Sequence, residues 1–370
     1  MALQYRAAVL QQSGTPLAVE RVSAPAPSPG DVVVRIRAAS LCHTDLEVID
    51  GSLRYPLPMI LGHEASGIVE EIGSAVDNVR VGDHVVLSWN PHCGHCFHCD
   101  RDQPILCETY LGEGPKGVHF DGQLKATMMP SGQPLAHLMF LGAFAEYCVL
   151  PAQQAIVVPK DIPFDRSCLI GCGVMTGVGA ALNVADIRHG DTVLVIGCGA
   201  VGLAAIQGAA MAGAGHIIAV DLNDDKLALA TRLGATLVVN AGTQDPVEIA
   251  KSVTQGRGAD VVLESAGHPV AFRQTTEAVR PGGQVIWLGK IDVSKDVSFR
   301  WGSLMGEKRL RRSSYGGARP RRDFPMLAQA YLDGRLKLDE LITRRITLDD
   351  INDGFDQLRA GKTIRTVIQF

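Results

Sequence analysis

The sequence predicts an α/β protein in which a β-rich domain is interrupted by a doubly wound parallel-sheet domain. Early in the chain, short strand-like runs are separated by Pro/Gly turns. From Phe164 onward, small-residue helices alternate with apolar strands. A last strand-like run, Thr366–Phe370, most simply rejoins the first domain. We therefore assign residues 1–173 with 315–370 to one domain and residues 174–314 to the other.

The β-rich domain is predicted from alternating apolar residues and from turn residues. Ala7–Leu10 and Leu17–Val22 form a predicted hairpin, which the Pro/Gly turn Ala24–Asp31 follows. Further strands are predicted at Val32–Ala38, His84–Leu87, Phe144–Leu150 and Ala155–Val158. Most of the stretch between the cysteine-rich segment and Leu141 is predicted to form loops.

The second domain is predicted as strands that alternate with helices. Its strands are expected at Val193–Ile196, Ile217–Val220, Leu237–Asn240, Asp260–Glu264 and Gln284–Leu288. Its helices are expected at Val201–Met211, Lys226–Leu233, Val247–Thr254 and Ala271–Val279. In the C-terminal tail, two helices are expected at Met326–Leu332 and Leu348–Ala360.

Composition restricts the possible partners. The chain has 370 residues, of which 46% are hydrophobic and 20% charged, enough for about two globular domains. A net charge of −4 gives no reason to expect nucleic acid or an anionic membrane as partner. We find no signal-peptide pattern and no apolar run near the ~18 residues of a membrane span. A cytoplasmic protein is therefore expected, whose nine cysteines favour metal binding over disulfides.

A glycine-rich turn follows the first strand of the second domain. Its G-x-G-x-x-G pattern is formed by Gly197, Gly199 and Gly202, and Asp221 stands 19 residues further, at the end of the next strand. The first glycine permits a tight turn, the second lets backbone amides approach a pyrophosphate, and the third lets the helix pack closely. Asp221 can accept a hydrogen bond from a ribose 2′-hydroxyl and would repel a 2′-phosphate. This combination favours an NAD site over an NADP site or a βαβ unit without ligand.

Four cysteines on one short loop form the pattern C-x2-C-x2-C-x7-C: Cys93, Cys96, Cys99 and Cys107. Four thiolates at this spacing match a closed, tetrahedral structural zinc site. An iron–sulfur cluster uses partly similar spacing, but the bacterial ferredoxin run ends in Cys-Pro and has a different last interval. The interleaved His92, His95 and His98 would oversubscribe the site, so they are expected to be exposed loop residues.

Three further stretches are too far apart to be informative alone: Cys42-His43-Thr44-Asp45, Gly62-His63-Glu64 and Gly171-Cys172-Gly173. Together with the cysteine loop, the glycine turn and the closing GKTIRTV, they resemble the zinc-dependent medium-chain alcohol dehydrogenases over essentially the whole chain. The resemblance implies a GroES-like catalytic domain that carries both zinc sites and a Rossmann domain that binds NAD. It is nearest to the class III, S-(hydroxymethyl)glutathione dehydrogenase-like line and to bacterial primary and aryl alcohol dehydrogenases.

The resemblance implies a catalytic zinc bound by Cys42, His63 and Cys172, with water or substrate oxygen in the fourth position. Asp45 matches the carboxylate that orients the ring of the histidine ligand. Glu64 is expected to approach the metal during ligand exchange or to act from just behind it. These roles belong to the family pattern, because the separation in sequence alone does not bring the residues together.

Residues around the substrate follow from the same resemblance. Thr44 matches the hydroxyl that bonds the substrate oxygen and starts proton transfer to solvent. Glu47 replaces a histidine of the proton relay, and the proton leaves either through this carboxylate or through Thr44, the cofactor ribose and water. Trp89 matches an aromatic residue of the substrate pocket, with packing at the base of the cysteine loop as the alternative.

The cofactor residues implied by the resemblance lie in several segments. His43 and Arg365 are expected at the phosphates, Val201 and Thr176 at the nicotinamide ring, and Lys226 near the adenosine ribose. The family commonly assembles by pairing cofactor-domain sheet edges, so a homodimer or homotetramer is expected, with Asp292–Arg300 as a candidate edge strand.

The resemblance implies reversible, zinc-dependent oxidation of an alcohol to the aldehyde with hydride transfer to NAD. Two departures from class III favour a primary aromatic or medium-chain alcohol without glutathione. The loop Asp50–Tyr55 is shorter and lacks the glutathione-facing acid of that class, and Glu108 to Leu111 stand where that class carries an anion-binding arginine.

Three alternatives remain. S-(hydroxymethyl)glutathione (formaldehyde) dehydrogenase activity is the first, with Arg54 as a compensating cation. The second is a zinc-independent, quinone-reductase-like enzyme, which the implied zinc ligands and Asp221 oppose. In the third, the cysteine loop is an interaction module and the glycine turn a sensor of NAD. The basic run Lys308–Arg322 is interpreted as a solvated face, with an anionic substrate or phosphate contact as its alternative.

Overall fold

A computed structural model describes residues 2–370 of the chain. They form two compact units. The first unit comprises the chain up to Cys172 together with Arg319–Phe370, and the second comprises Gly173–Ala318.

The strands, numbered in chain order, are β1 (Leu3–Leu10), β2 (Ala18–Ala24), β3 (Asp31–Ser40), β4 (Met59–Ile60), β5 (Ala65–Ile72), β6 (His84–Leu87), β7 (Ala126–Met128), β8 (Pro134–His137), β9 (Tyr147–Pro151), β10 (Ala155–Val157), β11 (Thr192–Ile196), β12 (His216–Asp221), β13 (Leu237–Asn240), β14 (Ala259–Glu264), β15 (Val279–Trp287), β16 (Arg309–Arg312), β17 (Ile342–Ile346) and β18 (Arg365–Gln369).

The α-helices, numbered likewise, are α1 (His43–Ile49), α2 (Glu108–Glu113), α3 (Phe164–Ser167), α4 (Gly173–Gly179), α5 (Ala200–Met211), α6 (Asp224–Arg232), α7 (Pro246–Ser252), α8 (Pro269–Ala278), α9 (Pro320–Leu332) and α10 (Ile351–Arg359). Among the described residues, no single helix is long and apolar enough to cross a membrane. Two consecutive helical segments, Phe164–Gly171 and Gly173–Val184, reach that length and composition only when taken together across a bend.

The first unit contains a closed barrel and a larger sheet. The barrel follows the order β1-β2-β7-β8-β4, and the larger sheet follows β10-β6-β5-β3-β18-β17, with β9 also paired to β3. The predicted hairpin is confirmed, since β1 and β2 pair antiparallel with Ala7 opposite Glu20. The last strand also returns as predicted, because β18 pairs antiparallel with β3 and places Ile368 opposite Ala39.

The second unit contains a parallel sheet in the order β13-β12-β11-β14-β15-β16. Every residue of β11 is buried, as expected of a central strand that is covered on both faces. The chain leaves β11 toward β12 on one side and reaches β14 on the other. This change of direction leaves a crevice at the carboxyl ends of the two central strands, where open α/β sheets bind ligands. The predicted doubly wound sheet is confirmed.

The sequence did not predict several short elements of the first unit. Helix α1 has seven residues, too few to show a helical period, and it depends on a local cap. Asp45 accepts a hydrogen bond from the backbone N–H of Cys42 at its amino end. Helix α2 and strands β7 and β8 were likewise not predicted, because short elements leave little periodicity in the sequence. The eight-residue strand β5 was also missed.

The predicted strand Asp292–Arg300 is wrong, since these residues form turns and irregular backbone. The Asp292 carboxylate accepts hydrogen bonds from the backbone N–H and hydroxyl of Ser294, a local turn that competes with strand pairing. The sheet instead ends at β16, Arg309–Arg312, which lies within the basic run. Several basic side chains of that run have partners within their own unit: Lys308 donates to the Thr276 carbonyl, and Arg319 pairs with Asp102.

Candidate active site

Three distant segments of the first unit meet at one largely buried point. Cys42 precedes α1, His63 lies between β4 and β5, and Cys172 follows a 3₁₀ turn, Cys168–Gly171, that continues α3. Together with Glu64, they offer two sulfurs, one imidazole nitrogen and one carboxylate oxygen, all within 4.8 Å of one another. The structure thus brings together the three residues that the sequence resemblance assigned to the catalytic zinc.

Asp45 determines which ring nitrogen of His63 faces this cluster. Its Oδ1 lies 3.0 Å from His63 Nδ1 and accepts a hydrogen bond from the Gly62 N–H, while its Oδ2 accepts one from the Cys42 N–H. Both side chains are buried. With Nδ1 committed to Asp45, Nε2 is the ring nitrogen available for a metal. A buried imidazole nitrogen beside two sulfurs fits a zinc ligand.

The two sulfurs of the cluster influence each other's ionisation. A hydrogen bond from Cys172 lowers the pKa of Cys42 well below its usual value, and the nearby His63 and Arg365 lower it further. The same hydrogen bond, together with burial, raises the pKa of Cys172. One sulfur is therefore already favoured as a thiolate, the form of cysteine that binds metals, and a divalent cation would favour this form at both.

Glu64 and Arg365 form a buried ion pair beside the cluster. Glu64 Oε1 lies 3.5 Å from Nε of Arg365, the first residue of β18. Burial raises the pKa of Glu64 to about 8, although Arg365 lowers it. Burial disfavours the charged form of Arg365, but Glu64 and the two cysteines raise its pKa above the usual value. The pair supplies a fixed cation and a carboxyl group next to the ligands.

The other predicted residues of this region lie on or near α1. His43 begins the helix and is exposed, whereas Thr44 and Glu47 are half-buried. The backbone carbonyl of Glu47 accepts hydrogen bonds from the Ser52 hydroxyl and the Leu53 N–H, which fixes the turn after the helix. The proposed contacts of these three side chains with substrate or cofactor stay predictions.

The cysteine loop forms a second sulfur cluster. The sulfurs of its four cysteines lie within 4.8 Å of one another, and those of Cys93 and Cys99 are 4.0 Å apart. Sulfurs of a tetrahedral zinc site are separated by about 3.8 Å, given a Zn–S distance of about 2.3 Å. All nine cysteines of the described chain are free of disulfides. The interleaved His95 and His98 bond instead to the Cys93 carbonyl and to Gln103.

Trp89 lies half-buried next to this loop. Its ring centroid is 6.4 Å from that of Tyr110, and it packs against a small core formed by Cys107, Tyr110 and Phe140. These contacts support the interpretation that Trp89 packs at the base of the cysteine loop. Its predicted place in a substrate pocket stays a prediction.

The glycine turn of the second unit has the shape that the sequence predicted. Gly197 has a φ of 95°, and a Cβ atom on Gly202 would stand 1.8 Å from the Gly197 carbonyl oxygen, so neither position accepts a side chain. A Cβ atom on Gly199, in contrast, would meet no atom within 4 Å. Gly199 caps the amino end of α5, which leaves open space where backbone N–H groups can receive a phosphate.

Asp221 ends β12 and is held rigidly. Its Oδ2 accepts a hydrogen bond from the Cys198 N–H, and its Oδ1 accepts from the N–H groups of Leu222 and Asn223. A carboxylate fixed in this way beside the glycine turn fits the ribose of a dinucleotide. Val201 at the start of α5, Thr176 on α4 and Lys226 on α6 are half-buried, and their cofactor contacts stay predictions.

Sequence analysis missed several residues that support these sites. Ser265, directly after β14, donates to the Gly197 carbonyl and thereby braces the glycine turn. Ser66 on β5 and Asp165 on α3 support the segments that carry His63 and Cys172. Ser265 could have been found from the sequence, because it is a polar residue at the carboxyl end of an apolar parallel strand, where ligand sites commonly lie. The other two carried no comparable signal, because their partners are far away in sequence.

Comparisons with known proteins cover the whole chain. Residues 28–160 match the family model of the alcohol dehydrogenase GroES-like domain, and residues 200–332 match that of the zinc-binding dehydrogenase. An S-(hydroxymethyl)glutathione dehydrogenase of Paracoccus denitrificans is 37% identical over 376 aligned positions, which span 100% of both chains.

Two solved structures are similar over the same extent. An alcohol dehydrogenase zinc-binding domain protein from Burkholderia ambifaria matches with a TM-score of 0.96 and 35% identity, over 100% of both chains. A benzyl alcohol dehydrogenase from Acinetobacter calcoaceticus matches with a TM-score of 0.94 and 33% identity, over 100% of this chain and 99% of the other.

Proposed function

Because the chain belongs to the zinc-dependent medium-chain alcohol dehydrogenase family, with zinc and NAD as cofactors, we propose that it oxidises a primary alcohol to the aldehyde. The substrate that we propose is an aromatic or medium-chain alcohol, and the hydride acceptor is NAD. The observation that carries the proposal is the cluster of the buried Cys42 and His63 with the half-buried Cys172, in which Asp45 bonds to the far side of the imidazole.

The donor set explains how such a site would work. Zinc supplies Lewis acidity, which makes an alcohol proton easier to remove, and NAD supplies the hydride acceptor. Asp45 holds the His63 ring so that Nε2 faces the two sulfurs. Three protein ligands leave a fourth position for substrate, in contrast to the closed four-cysteine loop. Thr44, two residues beyond Cys42, is proposed to accept the proton of the substrate hydroxyl while its own hydroxyl proton passes on toward solvent.

Glu64 has a separate proposed role behind the ligands. A carboxyl group whose pKa is about 8 can exist in either protonation state near neutral pH. Its partner Arg365 balances the charge when Glu64 is ionised. We propose that Glu64 approaches the metal when water and alcohol exchange.

Cofactor choice rests on Asp221. Its carboxylate is fixed by three backbone N–H groups at the carboxyl end of β12, beside the open position at Gly199. A ribose with free hydroxyls can donate to this carboxylate, whereas a 2′-phosphate would be repelled. These contacts support NAD in preference to NADP.

The proposed alcohol is uncharged, for reasons in the first unit. In the loop after α1, Asp50 pairs with Arg359 at 2.8 Å, so this carboxylate already has a cationic partner. After Cys107 come the exposed Glu108 and the buried Tyr110, and neither offers a cation for a glutathione carboxylate. The likeness to a benzyl alcohol dehydrogenase supports an aromatic substrate.

A second candidate function is S-(hydroxymethyl)glutathione dehydrogenase activity. The observation that favours it is the 37% identity to the Paracoccus denitrificans enzyme of that name over the full length of both chains. Arg54, exposed in the same loop as Asp50, is the cation that would have to face the glutathione moiety.

A substrate panel read by NADH absorbance separates the two candidates. The purified protein is offered benzyl alcohol, 1-hexanol, and formaldehyde with and without glutathione, with NAD or NADP as acceptor. We expect turnover of the free alcohols without glutathione and with NAD preferred. Formaldehyde oxidation that requires glutathione, combined with no turnover of either alcohol, would overturn the primary proposal. Cys172→Ser is the control, and it should abolish turnover but leave the zinc of the four-cysteine loop.

A further inference from the structure

The three candidate ligands of the catalytic site are unequally tied to one another. Asp45 joins the first two segments directly, since it bonds the Cys42 N–H, the Gly62 N–H and the ring of His63. Cys172 is the third candidate ligand. It belongs to a separate segment, residues 164–172, that reaches the site from a different part of the chain.

A buried hydroxyl links this segment to the strand that follows His63. Ser66 on β5 donates a hydrogen bond of 2.7 Å to the backbone carbonyl of Phe164, the first residue of α3. The Ser66 side chain is fully buried, so water cannot replace this bond at low cost. The bond connects two ligand-bearing segments three residues after His63 and eight residues before Cys172.

A buried carboxylate holds the same segment against the C-terminal strands. Asp165 is 5% exposed and pairs at 2.7 Å with Arg166 and at 2.9 Å with Arg345 of β17. Arg166 in turn pairs at 2.7 Å with Asp339, which is half-exposed. An ion pair with one buried member is expensive to break, because removing one partner leaves the other charge uncompensated. Asp165 therefore fixes the start of α3 to β17.

The far end of the segment is confined by backbone contact. A Cβ atom on Gly171 would stand 2.9 Å from the carbonyl oxygen of Leu87 on β6. Only glycine allows this close approach, and Cys172 is the next residue along the chain. The segment is thus held at residues 164–165 and again at residue 171. These contacts restrict the position of the Cys172 sulfur.

We propose that Ser66 and Asp165 are positioning residues that hold Cys172 in place to bind the catalytic metal, as Asp45 does for His63. The inference rests on the proposed function, because it takes Cys42, His63 and Cys172 as the ligands of that metal. Neither Ser66 nor Asp165 touches substrate or metal. Both act through the position of the backbone that carries the third ligand, from contacts that lie seven and eight residues before Cys172 along that segment.

Zinc release to a colorimetric chelator tests this assignment without any measurement of turnover. The wild-type holoenzyme should release its two zinc ions in two phases. The phase that accompanies loss of activity belongs to the catalytic site, and the phase that is missing in the Cys107→Ser variant belongs to the structural site. In Asp165→Asn and in Ser66→Ala, we expect the catalytic phase to be about tenfold faster or more, with the structural phase unchanged. Ser66→Ala removes one hydroxyl only, which keeps the test available if Asp165→Asn fails to fold.

The matched control is Asp339→Asn, which makes the same chemical change at the exposed partner of Arg166 and leaves the bonds of Asp165 in place. Its catalytic phase should match that of the wild type. Unchanged release from both Asp165→Asn and Ser66→Ala would overturn the inference. Equal acceleration of both phases would also overturn it, because that result indicates general loosening of the fold. A wild-type protein that holds zinc only in the four-cysteine loop would overturn the proposed function itself.

Discussion

Oδ1 of Asp45 lies 3.0 Å from Nδ1 of His63, and both side chains are buried. This single contact fixes the ring tautomer, because a carboxylate only accepts and Nδ1 must then carry the proton. Nε2 is left as the ring nitrogen that can bind a metal together with the sulfurs of Cys42 and Cys172. The geometry of the metal site is thus set by a residue that is not itself a ligand.

Replacing Asp45 should weaken zinc binding at this site. Asp45→Asn removes the charge that favours the Nδ1–H tautomer, and we expect a loss of zinc affinity of about 10- to 100-fold. Zinc content after dialysis against a graded chelator measures the effect. Asp349→Asn, at an exposed residue that pairs with Arg6, is the control and should keep two zinc ions per chain. Wild-type affinity in Asp45→Asn would show that the contact does not position His63.

Removing a sulfur from the cysteine loop should affect stability. Cys107 is fully buried, so Cys107→Ser would leave three thiols around a polar hydroxyl and release the structural zinc. We expect one zinc ion per chain fewer and a Tm lower by about 5 °C or more. Metal analysis and thermal unfolding provide the two readouts. Cys148→Ser changes a buried cysteine outside both clusters, and its zinc content should stay at the wild-type level.

Cofactor preference should follow Asp221. Asp221→Ser removes the carboxylate that we propose as acceptor of the ribose hydroxyls, and we expect this to cost about 2 kcal/mol, or roughly thirtyfold in kcat/KM for NAD. The same change removes the repulsion of a 2′-phosphate, so the ratio of kcat/KM for NAD to that for NADP should fall further. Steady-state kinetics with both cofactors measure this ratio. Asp225→Ser, at an exposed position on α6, should leave the ratio unaltered. A wild-type ratio in Asp221→Ser would refute the assignment of Asp221.

Turnover and its pH dependence test the role of Glu47. If this half-buried carboxylate on α1 relays the substrate proton, Glu47→Gln should lower kcat by about tenfold or more and alter the pH profile of kcat. Glu71→Gln, at an exposed position of β5, is the control and should behave as the wild type. An unaltered profile in Glu47→Gln would remove Glu47 from the mechanism and leave the route through Thr44, cofactor ribose and water.

The buried carboxyl of Glu264 should make stability depend on pH. Burial raises its pKa from an ordinary value of 4.5 to about 7, while N–H groups of the loop after β14 lower it in part. The unfolded state therefore releases a proton that the folded state keeps, and the free energy of unfolding falls as pH rises through this interval. The full effect of such a shift is about 3 kcal/mol.

Glu264→Gln replaces the carboxyl with an amide that does not titrate. As the pH is raised from about 4.5 to about 8, the wild type should lose about 3 kcal/mol of unfolding free energy relative to the variant. Urea unfolding followed by tryptophan fluorescence measures this difference. Glu248→Gln, on the exposed face of α7, should follow the wild-type pH dependence. A constant difference between wild type and Glu264→Gln would exclude Glu264 as the source.

Features that depend on neighbouring residues were predictable from the sequence alone. The four cysteines lie within 15 residues, so their spacing alone predicts a closed zinc site. The glycine turn requires a tight loop between strand and helix, and its steric demands are local. Strands such as β13 and β6 were predicted with correct bounds, because apolar runs between turn residues are a strong local signal.

Only the tertiary structure decided what meets at the catalytic site. Cys42, His63 and Cys172 come from separate segments, and nothing local in the sequence relates them. Arg365 pairs with Glu64 across 301 positions, and the Asp165–Arg345 pair spans 180. The edge of the parallel sheet fell at β16 and not at Asp292–Arg300, because a local Asp292 turn formed there. Such contacts depend on the packing of whole elements, and the sequence of one element does not indicate which element it packs against.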